Sequence, residues 1–403
     1  MTGTKKNVFV GASLAMFLVV LGCGQAMLDE TTEATDTTEA QGVEAPMFEV
    51  DPLWPKPLPN HWILGSTIGV TVDDQDHVWI IHRGASSMSA TNETPVLNDP
   101  PIGAECCEPA PPVLEFDQAG NLVGYWGGPG DGYEWPQSNH GITIDHKGNV
   151  WIGGNGGDDA HVLKFTRDGQ FLLQVGNAGG NAGSNDQENF GRVAKIFVDG
   201  EANEAYLADG YGNRRVAVLD ADTGTFKRYW GAYGNPPDDT ITVRYDPNAP
   251  PSQQFGSPVH CAELSDDRLL YVCDRSNDRI QVFEPDGTYQ DEVIVAGQTL
   301  GSGSVWDLAF SKDPDQTYLY LADGLNEKVY IIHRDTLEVL TSFGDGGRQP
   351  SQFFGVHSIA TDSKGNIYTT ETYEGKRVQK FVYKGMGPVT EQDQGAVWPS
   401  ASQ

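Results

Sequence analysis

Positive charge is the scarcest property of this 403-residue chain. Lysine and arginine together number 26, against 56 aspartates and glutamates, and the formal net charge is −30. A surface that binds nucleic acid or an anionic membrane needs clustered basic side chains, so the composition argues against both kinds of partner. We interpret the charge as a solvated acidic exterior.

Long helical patterns are also lacking, whereas turn-forming residues are abundant. The chain contains 48 glycines and 24 prolines. This combination favours an all-β fold built from many short strands and turns.

Long apolar runs are few, and the one at the N-terminus is too short to span a bilayer comfortably. Residues 8–21 are apolar, follow Lys5 and Lys6, and end in Val20-Leu21-Gly22-Cys23. This ending resembles the bacterial lipobox, in which signal peptidase cuts before a cysteine that carries lipid. We therefore predict a lipoprotein signal peptide over residues 1–22, lipidation at Cys23, and export to the bacterial cell envelope on its periplasmic or cell-surface side. An ordinary secretory signal is the alternative.

Composition divides the remainder of the chain into three parts. Residues 23–46 are rich in Thr, Glu and Ala and cannot build a core, so we predict a disordered tether. Strand-and-turn material fills residues 47–384, which we expect to form one domain. Residues 385–403 are predicted to be a disordered tail.

Cysteine is rare, with five residues and no Cys-x-x-Cys motif for zinc or redox chemistry. Cys261 and Cys273 fall opposite each other if the intervening hairpin turns near Asp267, so they could pair in an oxidising compartment. Cys106 and Cys107 are adjacent, and two free or separately paired thiols are the simpler interpretation there.

The body of the chain contains six copies of one four-strand unit. Each copy opens with a short apolar-alternating strand that ends in Asp or Ser, followed by a polar turn and a second strand. Six repeats of four strands each predict a six-bladed β-propeller. The last copy lacks a fourth strand, and Phe48-Glu49-Val50, before the first copy, is the natural donor that would close the last blade.

Histidine recurs at one position of this repeat. The residues that open the six first strands are Ile68, His140, Ala194, His260, Trp306 and His357. In a propeller the first strands line the central channel, so histidines in alternate blades converge on the axis. Three imidazoles with a free position form the ligand set that catalytic zinc prefers. The alternative, that these histidines only bond to water or backbone, explains one such residue better than three.

Three further polar residues follow second strands, where loops reach the mouth of the channel. They are Arg83 in the first blade, Tyr211 in the third and Arg275 in the fourth. Each could be an ordinary turn residue, and the arginines could form structural salt bridges. Together with a metal they would supply a base and an anion clamp.

The repeat resembles the NHL repeat, most clearly at Asp209-Gly-Tyr-Gly-Asn-Arg-Arg-Val and from Asp274 to Phe283. The site residues together resemble peptidyl-α-hydroxyglycine α-amidating lyase. The family's zinc histidines match His140, His260 and His357. Its His-Arg-Gly motif matches His82-Arg83-Gly84, its active tyrosine matches Tyr211, and its Asp-Arg matches Asp274-Arg275.

The resemblance implies a small-molecule or peptide-like substrate and a reaction. Zinc would bind the substrate hydroxyl, the Tyr211 phenolate would act as base, and Arg83 or Arg275 would hold a carboxylate. A phenol titrates at about pH 10, so Arg83 and the metal would have to favour its ionised form. The products would be a primary amide and glyoxylate.

The chain departs from the family pattern at two points. The family's calcium would take the backbone carbonyls of Val70 and Ile142, but the position of its carboxylate ligand is Ser358. The cysteine that follows the family's active tyrosine is Gly212, so that disulfide is absent. An insertion over residues 85–112 could also reshape the mouth.

Three functions remain open from the sequence. The first is a zinc-dependent lyase on an α-hydroxyglycine-type carbinolamide. The second is a zinc-dependent hydrolase or lactonase with the same three histidines. The third is a non-catalytic propeller that binds protein or carbohydrate. The histidine set favours the first two.

Overall fold

The computed structural model describes residues 42–399. Within that range the chain forms six four-stranded antiparallel sheets, arranged as the six blades of a β-propeller, and no α-helix. No helix of the described residues is long and apolar enough to cross a membrane.

The first half of the chain forms three blades after an N-terminal strand. This strand is β1 (Glu44–Asp51), and the two-residue β2 (Trp62–Ile63) follows it. Blade 1 then comprises β3 (Thr67–Val72), β4 (Val78–His82), β6 (Val113–Phe116) and β7 (Leu122–Trp126), with β5 (Glu108–Pro109) in its insertion. Blade 2 comprises β8 (Asn139–Ile144), β9 (Val150–Gly154), β10 (His161–Phe165) and β11 (Phe171–Gly176). Blade 3 comprises β12 (Val193–Asp199), β13 (Glu204–Asp209), β14 (Arg215–Asp220) and β15 (Phe226–Trp230).

The second half forms the other three blades. Blade 4 comprises β16 (Val259–Leu264), β17 (Leu270–Asp274), β18 (Arg279–Phe283) and β19 (Tyr289–Ile294). Blade 5 comprises β20 (Asp307–Phe310), β21 (Tyr318–Asp323), β22 (Lys328–His333) and β23 (Glu338–Phe343). Blade 6 comprises β24 (Val356–Thr361), β25 (Ile367–Glu371) and β26 (Val378–Pro388) and takes β1 as its outer strand. Short 3₁₀ turns occur at Gly84–Ser87, Pro95–Leu97, Ala232–Gly234 and Arg275–Asn277.

The hydrophobic core lies between neighbouring blades. One cluster, for example, joins Ala208 and Val216 of blade 3 to Ala262 and Val272 of blade 4. Second strands such as β4 and β9 are buried along their whole length, because both of their faces meet another blade. Each blade therefore needs two neighbours, which is why the array closes into a ring.

The N-terminal strand closes blade 6, as the repeat predicts. Phe48 pairs with Tyr383 and Val50 with Phe381 in antiparallel register. Ala45, Phe48 and Val50 are all buried in the core between blades 5 and 6. The predicted closure by residues 48–50 is confirmed.

The ends of the domain differ from the sequence-based boundaries of 47 and 384. Strand β1 already begins at Glu44, inside the predicted tether. Strand β26 continues to Pro388, and the chain after it bonds to the propeller, with Val50 N donating to Val397 O at 2.8 Å. These backbone groups are satisfied by neighbouring strands, which composition does not reveal. The predicted signal peptide and Cys23 lie outside the described residues.

Both cysteine pairs are joined. Cys261 and Cys273 face each other on β16 and β17 with a Cα–Cα distance of 4.8 Å and form a disulfide. Cys106 and Cys107 are bonded to each other, so the interpretation of two separate thiols is wrong. Their segment is part of the blade 1 insertion, where β5 pairs with β2.

Candidate metal centre

The three channel histidines sit at irregularities of their strands. In blades 2, 4 and 6 the pairing of the first with the second strand shifts register at His140, His260 and His357. A β-bulge re-aims a side chain that regular pairing would leave pointing along the sheet normal. The same shift occurs at Ile68 and Ala194, so it belongs to the repeat and not to histidine.

The histidine rings meet at the channel axis with near three-fold symmetry. Ring centroids are 5.1 Å apart for His140 and His260, 4.8 Å for His140 and His357, and 4.9 Å for His260 and His357. One nitrogen of each ring lies within 4.8 Å of the others, and all three residues are buried. This group could hold a metal ion.

Each imidazole is oriented by the next blade in the ring. The Nδ1 atoms of His140 and His357 lie 2.7 Å and 2.6 Å from the carbonyl oxygens of Ala194 and Ile68, and His260 Nδ1 bonds to Trp306 O. A carbonyl can only accept, so Nδ1 carries the hydrogen and Nε2 keeps its lone pair. A histidine that ligates a metal typically donates its other ring N–H to a carbonyl or carboxylate in this way.

Electrostatics also favour neutral imidazoles. Burial, followed by neighbouring cationic groups that include Arg275, holds the pKa of all three histidines well below the usual value of 6.5. Metals bind the neutral ring, so no proton has to be displaced at neutral pH. The residues present therefore fit a zinc ion.

Tyr211 places its hydroxyl beside two of these nitrogens. Its Oη is 3.0 Å from His140 Nε2 and 3.1 Å from His260 Nε2. The preceding Gly210 makes this approach possible, because a Cβ there would lie 2.1 Å from Val259 N. Tyr211 is thus in reach of any group bound at the three Nε2 atoms.

Arg275 lies on the other side of the same hydroxyl. Its Nη1 is 3.1 Å from Tyr211 Oη, and its guanidinium stacks 4.6 Å from the ring centre of Trp306. Its buried Nε has no hydrogen-bond partner among residues 42–399. A guanidinium with a spare buried donor can bind an anion.

Two buried ion pairs hold the loops that carry Tyr211 and Arg275. Arg215 Nε donates to Asp209 at 2.7 Å in blade 3, and Arg279 Nη2 donates to Asp274 at 2.7 Å in blade 4. All four side chains are fully buried. Each catalytic candidate lies between the acid and the arginine of its pair, so the repeat itself fixes the position of the loop.

Arg83 comes from blade 1 and reaches toward blade 2. Its Nη2 donates to Asn155 Oδ1 at 2.8 Å, and Asn155 is in turn held by Ser138 Oγ at 2.8 Å. Burial lowers the pKa of Arg83, partly offset by Tyr211 and Tyr373. The sequence identifies Arg83 but not Asn155, since no motif links residues 72 positions apart.

His82, of the same His-Arg-Gly segment, is a structural residue. Its Nδ1 accepts from the N–H groups of Gly65 and Gly84, both at 3.1 Å, and its Nε2 donates to Pro111 O at 3.0 Å. It is fully buried and orders the turn that presents Arg83.

An aromatic wall at the mouth escaped the sequence analysis. The Trp306 ring is 5.5 Å from His357, and Tyr373 is 6.4 Å from Trp306 with 55% of its surface exposed. The insertion of blade 1 reaches the same loop, where Glu93 pairs with Lys376 at 2.7 Å. Trp306 occupies the histidine position of blade 5, and this position in the repeat is the sequence signal that could have identified it.

The residues do not fit the calcium ion that the family resemblance implies. Val70 and Ile142 are buried in the first strands. At the position of the missing carboxylate, the Ser358 hydroxyl donates to Asp307 at 2.6 Å. Lys195 bonds to the same Asp307 at 2.7 Å, so a cation already lies there.

A second group of ligand-type side chains lies away from the channel. Asp73, His77 and Glu115 could together hold a metal. However, the Arg167 guanidinium lies 2.7 Å from Asp73 Oδ2 and also bonds to Glu115 and His77. We interpret this group as a structural ion-pair cluster.

The six four-stranded blades define a β-propeller protein, and the sequence is similar to that of NHL-repeat proteins. The chain is 25% identical over 358 residues to NHL repeat-containing protein 3 of Mus musculus, covering 84% of this chain and 85% of that protein. No protein-family model matches the chain. A solved structure of a protein of unknown function from Bacteroides thetaiotaomicron aligns with a TM-score of 0.51 at 12% identity. The alignment covers 84% of this chain and 77% of that chain, and it bears on the fold alone.

Distant homology also links the chain to amidating enzymes. It is 32% identical over 146 residues to peptidyl-glycine α-amidating monooxygenase B of Xenopus laevis, covering 36% of this chain and 15% of that protein. It is 23% identical over 190 residues to a probable peptidyl-α-hydroxyglycine α-amidating lyase of Caenorhabditis elegans, covering 47% of this chain and 49% of that protein. The aligned regions thus span less than half the length of these two relatives.

Proposed function

We propose that this protein is a zinc-dependent lyase that cleaves the C–N bond of an α-hydroxyglycine-type carbinolamide, giving an amide and glyoxylate. The observation that carries the proposal is the position of Tyr211 Oη, 3.0 Å and 3.1 Å from the Nε2 atoms of His140 and His260 and 3.1 Å from Arg275 Nη1. The distant homology to an amidating lyase supports the same reaction class.

His140, His260 and His357 would hold the zinc ion through Nε2. When bound, zinc supplies Lewis-acid assistance to the ionisation of a substrate hydroxyl. The protein orients the three rings in advance through their Nδ1 bonds to backbone carbonyls, so metal binding requires little rearrangement.

Tyr211 would take the hydroxyl proton of the substrate. As the hydroxyl electrons form the new carbonyl, the C–N bond breaks and the amide nitrogen receives the proton from Tyr211, so protons and electrons balance. The Arg275 guanidinium stabilises negative charge on the phenol oxygen to which it donates.

The two arginines would hold the carboxylate of the substrate. Arg275 has a spare buried Nε, and Arg83 faces the same centre from the opposite side, fixed by Asn155. Two guanidinium groups around one site match a carboxylate in charge and in fork geometry. A carboxylate on the carbon that bears the hydroxyl is the feature that makes glyoxylate the product.

The test combines metal content with product analysis. We expect purified protein to contain about one zinc per chain by elemental mass spectrometry, three histidines being the ligand set of a catalytic site. With an N-acyl-α-hydroxyglycine we expect glyoxylate and the amide in equal amounts. His260→Ala should lose both zinc and activity, whereas the exposed His146→Ala should keep both.

The outcomes separate the alternatives. Zinc retained at full occupancy in His260→Ala would contradict the metal site. Zinc present without glyoxylate release, but with cleavage of an ester or lactone, would favour a hydrolase on the same three histidines. A protein with neither zinc nor turnover would favour a non-catalytic propeller that binds protein or carbohydrate.

We also propose that the protein acts outside the cytoplasm, anchored through Cys23. The disulfides Cys261–Cys273 and Cys106–Cys107 support an oxidising compartment. Expression in the presence of a radiolabelled fatty acid should label the wild-type protein but not Cys23→Ser.

A further inference from the structure

A second polar layer lies in the channel directly beneath the histidines. Lys195 of blade 3, Asp307 of blade 5 and Ser358 of blade 6 line the same small cavity as the three histidine rings. Beyond Lys195 the channel widens into a cavity of about 260 Å³, which Lys195 and Glu263 also line. Lys195 therefore separates the metal centre from the far end of the channel.

The Lys195 side chain forms two ion pairs in this layer. Its Nζ is 2.7 Å from Asp307 Oδ1 and 2.9 Å from Glu263 Oε1. The exposed fractions are 12% for Lys195, 15% for Glu263 and 2% for Asp307. Although burial opposes the charge, the carboxylates of Asp307 and Glu263 raise the pKa of Lys195, so its ammonium stays charged.

Asp307 has no position left for a metal ion. Its Oδ1 accepts from Lys195 Nζ and from Leu308 N at 3.0 Å. Its Oδ2 accepts from Ser358 Oγ at 2.6 Å and from Ile359 N at 3.1 Å. A carboxylate offers about four acceptor positions, and all four are used.

We propose that the Lys195 ammonium supplies the positive charge of this channel layer. It occupies the position at which a calcium ion would otherwise balance the buried carboxylates. Calcium needs six to eight oxygen ligands. Here Lys195 takes one acceptor position of Asp307 and pairs with Glu263, and the Ser358 hydroxyl donates to Asp307, so these oxygens are not free for calcium while the ammonium is in place. The protein consequently folds and holds its metal centre without calcium.

Matched variants at position 195 should respond differently to calcium. After dialysis against EGTA, millimolar Ca²⁺ should change the melting temperature of the wild-type protein by less than about 1 °C, because nothing binds. Lys195→Ala removes the ammonium and opens the layer, so its melting temperature should be low in EGTA and rise by about 4 °C or more with Ca²⁺. Lys195→Met removes the charge but fills the space, and it should not respond.

Calorimetric titration of the wild-type protein with Ca²⁺ provides a second measurement that depends on no variant. Stoichiometric binding at micromolar Ca²⁺, or a loss of wild-type stability in EGTA that Ca²⁺ but not Zn²⁺ restores, would overturn the proposal. A Lys195→Ala protein that folds but ignores Ca²⁺ would also overturn it. These readouts are independent of the proposed lyase reaction, which glyoxylate release tests separately.

Discussion

Each channel histidine uses Nδ1 for the protein and leaves Nε2 for a ligand. The acceptors are backbone carbonyls of Ala194, Trp306 and Ile68, which a side-chain substitution cannot remove. The tautomer is therefore set by the strands themselves. This arrangement explains why the residues at the intervening positions of the ring vary in type and still support the site.

Tyr211→Phe is the most direct test of the base. The phenylalanine ring keeps the packing of Tyr211 but lacks the proton acceptor, and loss of a positioned base typically costs 10²–10⁴-fold in rate. We expect kcat for glyoxylate release to fall by about 100-fold or more, while the zinc content stays unchanged. A variant with wild-type kcat would exclude Tyr211 as the base.

His82 should make folding stability depend on pH. Burial lowers the pKa of His82 to about 4, while an unfolded histidine titrates at about 6.5. The unfolded chain takes up this proton at higher pH than the folded chain. The contribution of His82 to the free energy of unfolding is therefore complete above about pH 6.5. It decreases as pH falls toward 4, by about 3 kcal/mol in total.

Urea unfolding between pH 7 and pH 4 checks this contribution. We expect His82→Gln to show a shallower decrease of the unfolding free energy than the wild-type protein, whatever its absolute stability. The exposed His146→Gln serves as the control and should keep the wild-type slope. Equal slopes in all three proteins would contradict the assignment.

Among the elements, blades 3 and 4 share a device that connects fold and site. The second strand ends in an aspartate, the third begins with an arginine, and the two form a fully buried ion pair. Asp209 Oδ1 also accepts from Gly191 N at 2.6 Å, and Asp274 Oδ1 from Gly256 N at 2.8 Å. The loop between the strands is thereby tied at its base, and its tip carries Tyr211 or Arg275.

Asp274→Asn, which breaks a buried ion pair, should destabilise the protein more than the loss of an exposed ion pair. It leaves the Arg279 charge without its main partner, and removing one member of a buried pair costs about 3–5 kcal/mol. Asp222→Asn breaks the exposed pair with Lys147 and should cost about 1 kcal/mol or less. Chemical unfolding measures both; a cost below about 1 kcal/mol for Asp274→Asn would show that the pair does not hold the loop.

At the scale of the whole molecule, closure of the ring depends on the first described strand. Phe48 contacts Tyr320 and Phe343 of blade 5 as well as Tyr383 of blade 6, with ring centroids 5.4 to 5.9 Å apart. The N-terminal strand therefore joins two blades besides completing one. Residues after Pro388 add further bonds to blade 5, where Ser342 N donates to Gln392 O at 2.9 Å.

Phe48→Ala measures what this closure contributes. Truncation of a buried phenylalanine typically costs about 3–5 kcal/mol, and here the cavity would open between blades 5 and 6. We expect a loss of about that size in unfolding free energy. Val43→Ala, on a side chain that is 57% exposed, should change it by less than about 0.5 kcal/mol. Equal effects of the two substitutions would show that strand β1 does not unfold together with the rest of the propeller.

The sequence by itself determined the fold class, the blade number and the closing strand, because the repeat and its alternating apolar residues are local patterns. It also placed three histidines at one position of the repeat, from which their convergence follows by symmetry. Motif spacing further identified Arg83, Tyr211 and Arg275 as candidates on neighbouring loops.

Only the tertiary structure decided what these residues contact. His357 bonds to the carbonyl of Ile68, 289 positions away, and Asp307 meets Lys195 from 112 positions away. Such contacts depend on ring closure and on bulges that turn individual side chains, and no short pattern encodes them. The Nδ1 tautomers, the Trp306–Tyr373 wall and the Lys195 ammonium beneath the three histidines therefore emerge only when all six blades are assembled.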